Sequence, residues 1–160
     1  MRVLFLCTGN SCRSQMAEGL LRWVGGSVVD VVSAGTDPRP VHPDAVRALR
    51  EIGLDISRQK SKSAEPYLGQ RFDYVITLCD AARESCPVFP GAARTLHWSL
   101  PDPAAASGSE AERLQEFRKV REQLSGLIDE LLAEMMEGFL GRLAELADPS
   151  QVDAPPREIV

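Results

Sequence analysis

The chain lacks the long apolar runs that a membrane-spanning segment requires. No hydrophobic stretch approaches the roughly 20 residues that cross a bilayer, and the opening run Val3-Leu4-Phe5-Leu6 is shorter than the core of a secretory signal. Basic residues are outnumbered, with 18 Lys and Arg against 23 Asp and Glu and a net charge of −5. This balance disfavours a nucleic-acid or anionic-membrane surface. We therefore expect a cytoplasmic protein that holds any anion at a local site.

Histidine is scarce, with two residues, and the four cysteines are not spaced like zinc knuckles. Cys7 and Cys12, and likewise Cys79 and Cys86, are farther apart than the Cys-x2-Cys pairs of structural zinc sites. A reducing cytosol also argues against permanent disulfides. We therefore expect no metal site and no bound cofactor, and we interpret the cysteines as buried or redox-active.

The 160 residues have an ordinary globular composition, 44% hydrophobic and 26% charged, and a length that favours one domain. Apolar runs alternate with helical patterns, which predicts an α/β fold with a doubly wound, four-stranded parallel sheet flanked by helices. The predicted strands are residues 3–6, 28–35, 73–79 and 94–98. We predict a single catalytic domain over residues 1–147 and a disordered polar tail over 148–160.

Two helices have clear starting signals. Pro43 opens one of them, and the face predicted to be buried consists of Val46, Leu49 and Ile52. The other begins after Ser109, which together with Glu112 matches a capping box. Its apolar residues recur at helical spacing as far as Met135, so we expect this stripe to cover the sheet.

The most informative segment is the loop Cys7-Thr-Gly-Asn-Ser-Cys-Arg13, in which five residues separate a thiol from a guanidinium. It follows the first predicted strand and precedes a helical pattern that begins at Ser14. Free N–H groups and the helix dipole at such a place favour an oxyanion and stabilise a thiolate. The fork of Arg13 matches two oxygens of a tetrahedral anion. Cys7 is therefore a candidate nucleophile directed at phosphate or a similar anion.

The other cysteines allow more than one interpretation. A Cys at the end of a buried strand often serves only as a small hydrophobe, an alternative that applies to Cys7 and Cys79. Cys12 is interpreted as packing, because its side chain would point away from a ligand held by backbone amides. Cys79 ends a predicted strand at the same sheet edge as Cys7, and Cys86 follows a segment compatible with a short helix. Thiols at these positions could relay a disulfide.

Motifs along much of the chain point to one family. They are Cys-Thr-Gly-Asn-Ser-Cys-Arg-Ser-Gln-Met-Ala-Glu at 7–18, Ser-Ala-Gly at 33–35, Ile-Thr-Leu-Cys at 76–79 with another Cys seven residues on, His-Trp at 97–98 and Asp-Pro at 102–103. Together they resemble the thioredoxin-coupled arsenate reductases, which share the fold of low-molecular-weight protein tyrosine phosphatases. The Cys-x5-Arg loop alone indicates only the broader phosphatase superfamily.

The resemblance implies the first step of an arsenate reduction that serves arsenic detoxification. Cys7 attacks arsenate, the Ser14 hydroxyl stabilises the thiolate, and Asp102 protonates the departing hydroxide. Phosphate and sulfate are expected to compete as oxyanions. The residues expected to bind the oxyanion are Thr8, Gly9, Asn10, Ser11, Cys12 and Arg13.

The resemblance also implies a disulfide relay. Cys79 attacks Cys7 and arsenite leaves, after which Cys86 takes over the disulfide and presents it to thioredoxin, which supplies the reducing equivalents. A departure from the family concerns potassium, which some members bind through the equivalents of Asn10 and Glu18 and of side chains at 59–62. That segment here reads Gln-Lys-Ser-Lys, so we expect a lysine to replace the ion.

Two alternative functions remain open. A phosphomonoesterase of the same fold would use Cys7, Arg13 and Asp102 with water as the second nucleophile, and it predicts a Tyr-rich rim where this chain has Pro-Ala-Ala-Ala. A non-enzymatic anion-binding or thiol-switch protein needs no acid, so Asp102 argues against it. Asp before Pro is, however, also a common turn residue. His42 and His97 are interpreted as structural.

Overall fold

The computed structural model describes residues 1–85 and 88–147, in which strands and helices alternate. The elements are β1 (Arg2–Cys7), α1 (Arg13–Gly25), β2 (Asp30–Gly35), α2 (Pro43–Arg50), β3 (Phe72–Thr77), α3 (Asp80–Ser85), β4 (Ala92–His97) and α4 (Glu110–Ala147). Short 3₁₀ turns cover Gly26–Val28, Glu65–Tyr67 and Pro103–Ala105. The predicted α/β fold with a four-stranded parallel sheet is confirmed.

The strand order is β2-β1-β3-β4, so β1 lies between β2 and β3. Cys7 is in register with Gly35, and Leu6 with Thr77, which in turn is in register with His97. The four strands therefore end together at one edge. In an open α/β sheet, ligands bind outside this carboxyl edge at the point where the winding reverses. Here that point lies between β1 and β3, next to the loops that follow Cys7 and Thr77.

The central strand is buried on both faces. Residues 3–6 are at most 1% exposed, which explains why their sequence is continuously apolar instead of alternating. Leu4 and Leu6 pack with Phe72, Val75 and Phe89 on one side of the sheet. This packing holds the end of β1, and with it Cys7, in a fixed position.

The start of α4 is fastened at two places. Ser109 N–H donates to Glu112 Oε2 at 2.7 Å while Glu112 N–H donates to Ser109 Oγ at 3.2 Å, so the predicted capping box is confirmed. These bonds to Ser109 lower the pKa of the Glu112 carboxyl. Farther along, Arg118 donates to Glu51 just after α2, and Arg121 donates to the Ala48 carbonyl at 2.7 Å.

Several sequence-based boundaries are wrong by one to three residues. Strand β2 begins at Asp30 and not at Val28, because residues 26–28 form a 3₁₀ turn. Helix α2 ends at Arg50, and Ile52 is 42% exposed in the following turn, where Gly53 has a φ of +85°. Leu49 is buried as predicted, and Ala45 and Ala48 are buried beside it. Strand β3 ends two residues before Cys79.

The chain divides into two compact units, Met1–Ile128 and Asp129–Val160. The first contains the whole sheet, and the described part of the second is the remainder of α4. The single catalytic domain over 1–147 stays a prediction, and the tail predicted over 148–160 lies outside the described residues. Over the described ranges no helix combines the length and apolarity needed to cross a bilayer.

Candidate active site

The predicted thiol and guanidinium lie where a strand gives way to a helix. Cys7 is the last residue of β1 and is 4% exposed, and Arg13 is the first residue of α1. Cys12 precedes the helix without forming a side-chain cap, and the first turn has no acidic residue. The first N–H groups of a helix have no intrahelical acceptor. This uncapped N-terminus is therefore suited to an anion.

The sulfur of Cys7 accepts hydrogen bonds from two directions. Asn10 N–H donates to Cys7 Sγ at 3.2 Å, and Ser14 Oγ lies 2.8 Å from the same sulfur. Asn10 Nδ2 donates to Ser14 Oγ at 2.8 Å, so this oxygen serves as an acceptor and its own proton is available to Cys7. A thiolate accepts hydrogen bonds and donates none. The arrangement thus suits a thiolate, in agreement with the role expected for Ser14.

A buried carboxylate in the same helix, Glu18, lies at the other end of this series of hydrogen bonds. Ser33 Oγ donates to Glu18 Oε2, because a carboxylate only accepts, and Ser33 Oγ then accepts from Asn10 Nδ2 at 2.9 Å. Asn10 Nδ2 therefore donates in two directions, toward Glu18 through Ser33 and toward Cys7 through Ser14.

Asn10 also braces the loop against the segment between α2 and β3. Its Oδ1 accepts from Lys62 N–H at 2.8 Å and from Gln15 Nε2 at 3.0 Å. Asn10 has a left-handed φ of +45° and is fully buried. The side-chain bonds offset the cost of a backbone conformation that non-glycine residues seldom adopt.

Sequence reasoning missed the structural roles of Ser33 and Gly35. A Cβ added to Gly35 would lie 2.4 Å from the Thr8 carbonyl oxygen and 2.9 Å from Asn10 N, so only glycine permits this approach to the loop. Ser33 forms the link between Asn10 and Glu18. The available signal was the Ser-Ala-Gly motif, since its position at the end of a strand beside β1 places it against the Cys7 loop.

A cavity of about 590 Å³ opens at the carboxyl edge of the sheet. Arg13 is a fixed part of its wall, with a side chain that is 13% exposed and Nη1 donating to the Leu100 carbonyl at 2.9 Å. Arg13 Nε is buried and has no hydrogen-bond acceptor within the described part of the chain. A buried donor without an acceptor is costly. An oxyanion that reached this atom would remove that cost.

The structure brings most of the predicted oxyanion-binding residues to this cavity. Thr8, Gly9, Ser11, Cys12 and Arg13 line it, together with the predicted nucleophile Cys7. Asn10 and Ser14 are fully buried behind the loop and act on Cys7 through the hydrogen bonds described above. Burial raises the pKa of the Cys12 thiol to about 11, so this second thiol of the loop is protonated at neutral pH.

The second predicted cysteine of the relay shares the cavity with the first. Cys79 is 5% exposed and lines the same wall. Its sulfur accepts a hydrogen bond from Ala82 N–H at 3.3 Å and lies 3.7 Å from Thr8 Oγ1. Cys86, the third cysteine of the predicted relay, lies outside the described residues.

Asp102 occupies the cavity rim and has a half-exposed side chain. Its Oδ1 lies 3.9 Å from Arg13 Nη2 and accepts from Ala104 N–H at 3.1 Å. The two interpretations of this residue are therefore compatible, because the carboxylate caps the turn at 103–105 and still faces the cavity. A carboxyl group held there is in a position to donate a proton to a leaving oxygen.

A lysine lies beside Glu18, the residue whose equivalent binds potassium in some members of the family that the sequence resembles. Lys62 Nζ is 3.4 Å from Glu18 Oε2 and donates to the Lys60 carbonyl at 3.0 Å, while Arg22 donates to Glu18 Oε1. Glu18 is buried and already has two cationic partners, Lys62 and Arg22. The Lys60 carbonyl already accepts from an ammonium. These groups therefore do not fit a further cation. Among the described residues, no group of three or more His, Cys, Asp and Glu side chains is arranged to hold a metal ion.

Both histidines make hydrogen bonds with residues of the fold, and the ring of His42 also stacks on an aromatic ring. His42 Nδ1 accepts from Asp44 N–H at 3.1 Å at the start of α2, and its ring stacks on Phe117 at 4.8 Å. His97 lies between Thr77 Oγ1, at 2.7 Å, and an oxygen of Asp80, at 3.0 Å. These contacts agree with the interpretation from the sequence.

Comparison with known proteins identifies close relatives. Residues 2–139 match the model of the low molecular weight phosphotyrosine protein phosphatase family. The arsenate reductase of Halalkalibacterium halodurans is 47% identical over 122 residues, which cover 76% of this chain and 88% of that protein.

Solved structures of arsenate reductases are also similar to this chain. An arsenate reductase in its phosphate-binding state has a TM-score of 0.73 and 36% identity, with 83% of this chain and 97% of that chain covered. A thioredoxin-dependent arsenate reductase of Corynebacterium glutamicum has a TM-score of 0.65 and 31% identity, with 86% of this chain and 62% of that chain covered. The chain belongs to the low molecular weight phosphotyrosine protein phosphatase family and, within it, to the arsenate reductases.

Proposed function

We propose that this chain reduces arsenate to arsenite through Cys7 and a disulfide relay that thioredoxin regenerates. The observation that carries the proposal is the cavity that combines a hydrogen-bonded sulfur at Cys7, the fixed guanidinium of Arg13 and a second thiol at Cys79. A phosphatase needs the first two of these features, and a reductase needs all three.

In the first step, the Cys7 thiolate attacks the arsenic of a bound arsenate. A sulfur–arsenic bond forms while an arsenic–oxygen bond breaks, and Asp102 supplies the proton with which the oxygen leaves as water. General-acid assistance of this kind contributes about 10²- to 10⁴-fold in rate. Arg13 and the free N–H groups at the start of α1 balance the charge of the remaining oxygens.

In the second step, the Cys79 thiolate attacks the sulfur of Cys7. A sulfur–sulfur bond forms, and the electron pair of the sulfur–arsenic bond stays on arsenic, which leaves as arsenite. The two electrons come from the two thiols, so no bound cofactor is required. The hydrogen bond from Ala82 N–H and the proximity of Thr8 Oγ1 support an anionic sulfur at Cys79.

In the last steps, Cys86 attacks Cys79, which releases Cys7 as a thiolate and leaves a disulfide between Cys79 and Cys86. Bridged Cα atoms lie about 4.4–6.8 Å apart, whereas residues seven positions apart along an intact α-helix are about 10 Å apart at 1.5 Å per residue. Helix α3 must therefore unwind for this bond to form. Thioredoxin then reduces the disulfide by thiol exchange.

The alternative is hydrolysis of phosphate monoesters by Cys7, Arg13 and Asp102. Among the described residues that line the cavity, none is aromatic, so an aryl group finds no stacking surface there. We propose at most a weak side activity on aryl phosphates. Phosphate and sulfate then act as competitors of arsenate, because they have the same tetrahedral shape.

A coupled assay tests the proposed function. Arsenate-dependent oxidation of NADPH should require both thioredoxin and thioredoxin reductase, and Cys7→Ser should remove it together with any aryl-phosphate hydrolysis. An anion-binding or thiol-switch protein would not turn over in this assay. Hydrolysis of an aryl phosphate without arsenate-dependent turnover would favour the phosphatase alternative.

A further inference from the structure

The active-site cavity is lined by a second arginine besides Arg13. Arg39, which follows β2 in the chain, contributes to the wall together with two carboxylates, Asp80 and Asp102. The whole chain carries a net charge of −5, so its long-range field repels the dianions that the proposed function requires. A local cation at the mouth of the cavity is the available source of attraction.

The backbone of Arg39 is tied to the catalytic loop. Arg39 N–H donates to the Gly9 carbonyl at 2.8 Å, and the Arg39 carbonyl accepts from Ser61 Oγ. The side chain passes alongside the loop, since a Cβ placed on Gly9 would lie 3.9 Å from Arg39 Cδ. The aliphatic part of the Arg39 side chain therefore stays beside the loop and keeps the guanidinium within reach of the cavity.

The head group of Arg39, in contrast, is only weakly held. Its side chain is 72% exposed, and Nη2 pairs at 3.0 Å with Asp37, whose side chain is 64% exposed. Exposed ion pairs of this kind are worth about 0.2–1 kcal/mol. Asp37 is itself anchored to the loop, because its N–H donates to the Thr8 carbonyl at 2.9 Å. A dianion that enters the cavity therefore competes with one carboxylate that occupies Arg39.

We propose that Arg39 captures the oxyanion at the mouth of the cavity and that Asp37 is its internal competitor. This inference rests on the proposed function and adds a residue that determines affinity for the substrate. Arg13 is buried and fixed by Leu100, so it holds the anion for reaction, whereas Arg39 exchanges a carboxylate for the incoming dianion. At equal distance a dianion is attracted to Arg39 about twice as strongly as a monoanion, so a dianion displaces the single negative charge of Asp37 more effectively.

Protection of Cys7 from iodoacetamide by inorganic phosphate measures this binding directly. Each protein is compared with its own rate of alkylation without phosphate, since a nearby charge also alters the rate. Arg39→Gln should raise the apparent phosphate Kd about fivefold and the KM for arsenate equally, with kcat changed less than about twofold. The phosphate Kd of Arg39→Gln should also depend less on ionic strength.

A second variant tests the competition. Asp37→Asn should lower the phosphate Kd about twofold when Arg39 is present and should have a smaller effect when Arg39 is replaced by Gln. If Asp37→Asn has the same effect with Arg39 and with Gln at position 39, Asp37 repels phosphate directly. That result would overturn the proposed competition for Arg39.

The pair Arg50 and Asp55 provides the matched control. It is a second exposed Arg–Asp pair, with side chains 62% and 59% exposed, and it does not line the cavity. Arg50→Gln and Asp55→Asn should leave the phosphate Kd unchanged. If phosphate protects the unaltered protein and Arg39→Gln equally well, the role of Arg39 is refuted. If phosphate fails to protect Cys7 in the unaltered protein, the proposed function fails as well.

Discussion

Replacing Lys62 by alanine should turn a potassium-insensitive protein into a potassium-sensitive one. In the structure the ammonium of Lys62 lies 3.4 Å from Glu18 Oε2 and 3.0 Å from the Lys60 carbonyl oxygen. The side chain of Glu18 is 4% exposed, so protein groups such as this ammonium, and not bulk water, are its partners. Alanine would leave the carboxylate and the carbonyl without this cation, next to Ser33, and a potassium ion prefers such oxygen ligands.

The expected loss follows from the geometry of the pair. Breaking a fully buried ion pair costs about 3–5 kcal/mol, but Lys62 is 31% exposed and Glu18 keeps Arg22 and Ser33 as partners. We therefore expect Lys62→Ala to lower the free energy of unfolding by about 1–2 kcal/mol. For a chain of this length that loss lowers Tm by about 2–8 °C. Potassium at ten times its Kd would restore about 1.4 kcal/mol.

Thermal melts in potassium and in sodium at equal ionic strength measure this effect. The unaltered protein should melt at the same temperature in both salts, whereas Lys62→Ala should melt several degrees higher in potassium. Lys60→Ala is the matched control, because it removes a neighbouring exposed lysine and leaves the ammonium beside Glu18 in place. A preference for potassium in the unaltered protein as large as in Lys62→Ala would refute the reasoning.

Two further predictions concern thiol reactivity and pH. Iodoacetamide at pH 7 should label Cys7 and spare Cys12, because burial raises the pKa of Cys12 to about 11 and leaves about one thiolate in ten thousand; equal labelling in peptide maps would contradict this. Hydrogen bonds from Arg118 lower the pKa of Glu51 from 4.5 to about 2, so its contribution to stability is complete above pH 4.5 and is lost as the pH falls toward 2. Urea midpoints of Glu51→Gln and the unaltered protein should therefore differ most near pH 7 and converge near pH 2, and a constant difference would count against the ion pair.

The catalytic loop was predictable because its chemistry is local in sequence. Cys7 and Arg13 lie within one strand–loop–helix segment, and the position of a loop at a helix N-terminus follows from short-range patterns alone. The shared edge of Cys7 and Cys79 was also predictable, since parallel strands place their carboxyl ends together. The capping box of Ser109 and Glu112 is local in the same sense.

The remaining features depend on contacts that periodicity does not encode. Arg39 reaches the cavity because a backbone hydrogen bond ties it to Gly9, 30 positions earlier, and no local pattern indicates this bond. The exposure of Ile52 was missed because the helical pattern continues past Arg50, whereas the chain turns at Gly53. The sequence predicts that a lysine replaces potassium beside Glu18 but does not indicate whether this is Lys60 or Lys62. The structure places Lys62 there.

The most direct test of the disulfide relay is a rapid-quench count of arsenite released per enzyme in the absence of thioredoxin. The unaltered protein should release one arsenite per molecule. Cys86→Ser should also release one and then stall with a disulfide between Cys7 and Cys79, because the next thiol is missing. Cys79→Ser should release none while it still hydrolyses an aryl phosphate at a rate close to that of the unaltered protein. Arsenite release by Cys79→Ser, or sustained turnover of Cys86→Ser with thioredoxin, would contradict the three-cysteine relay.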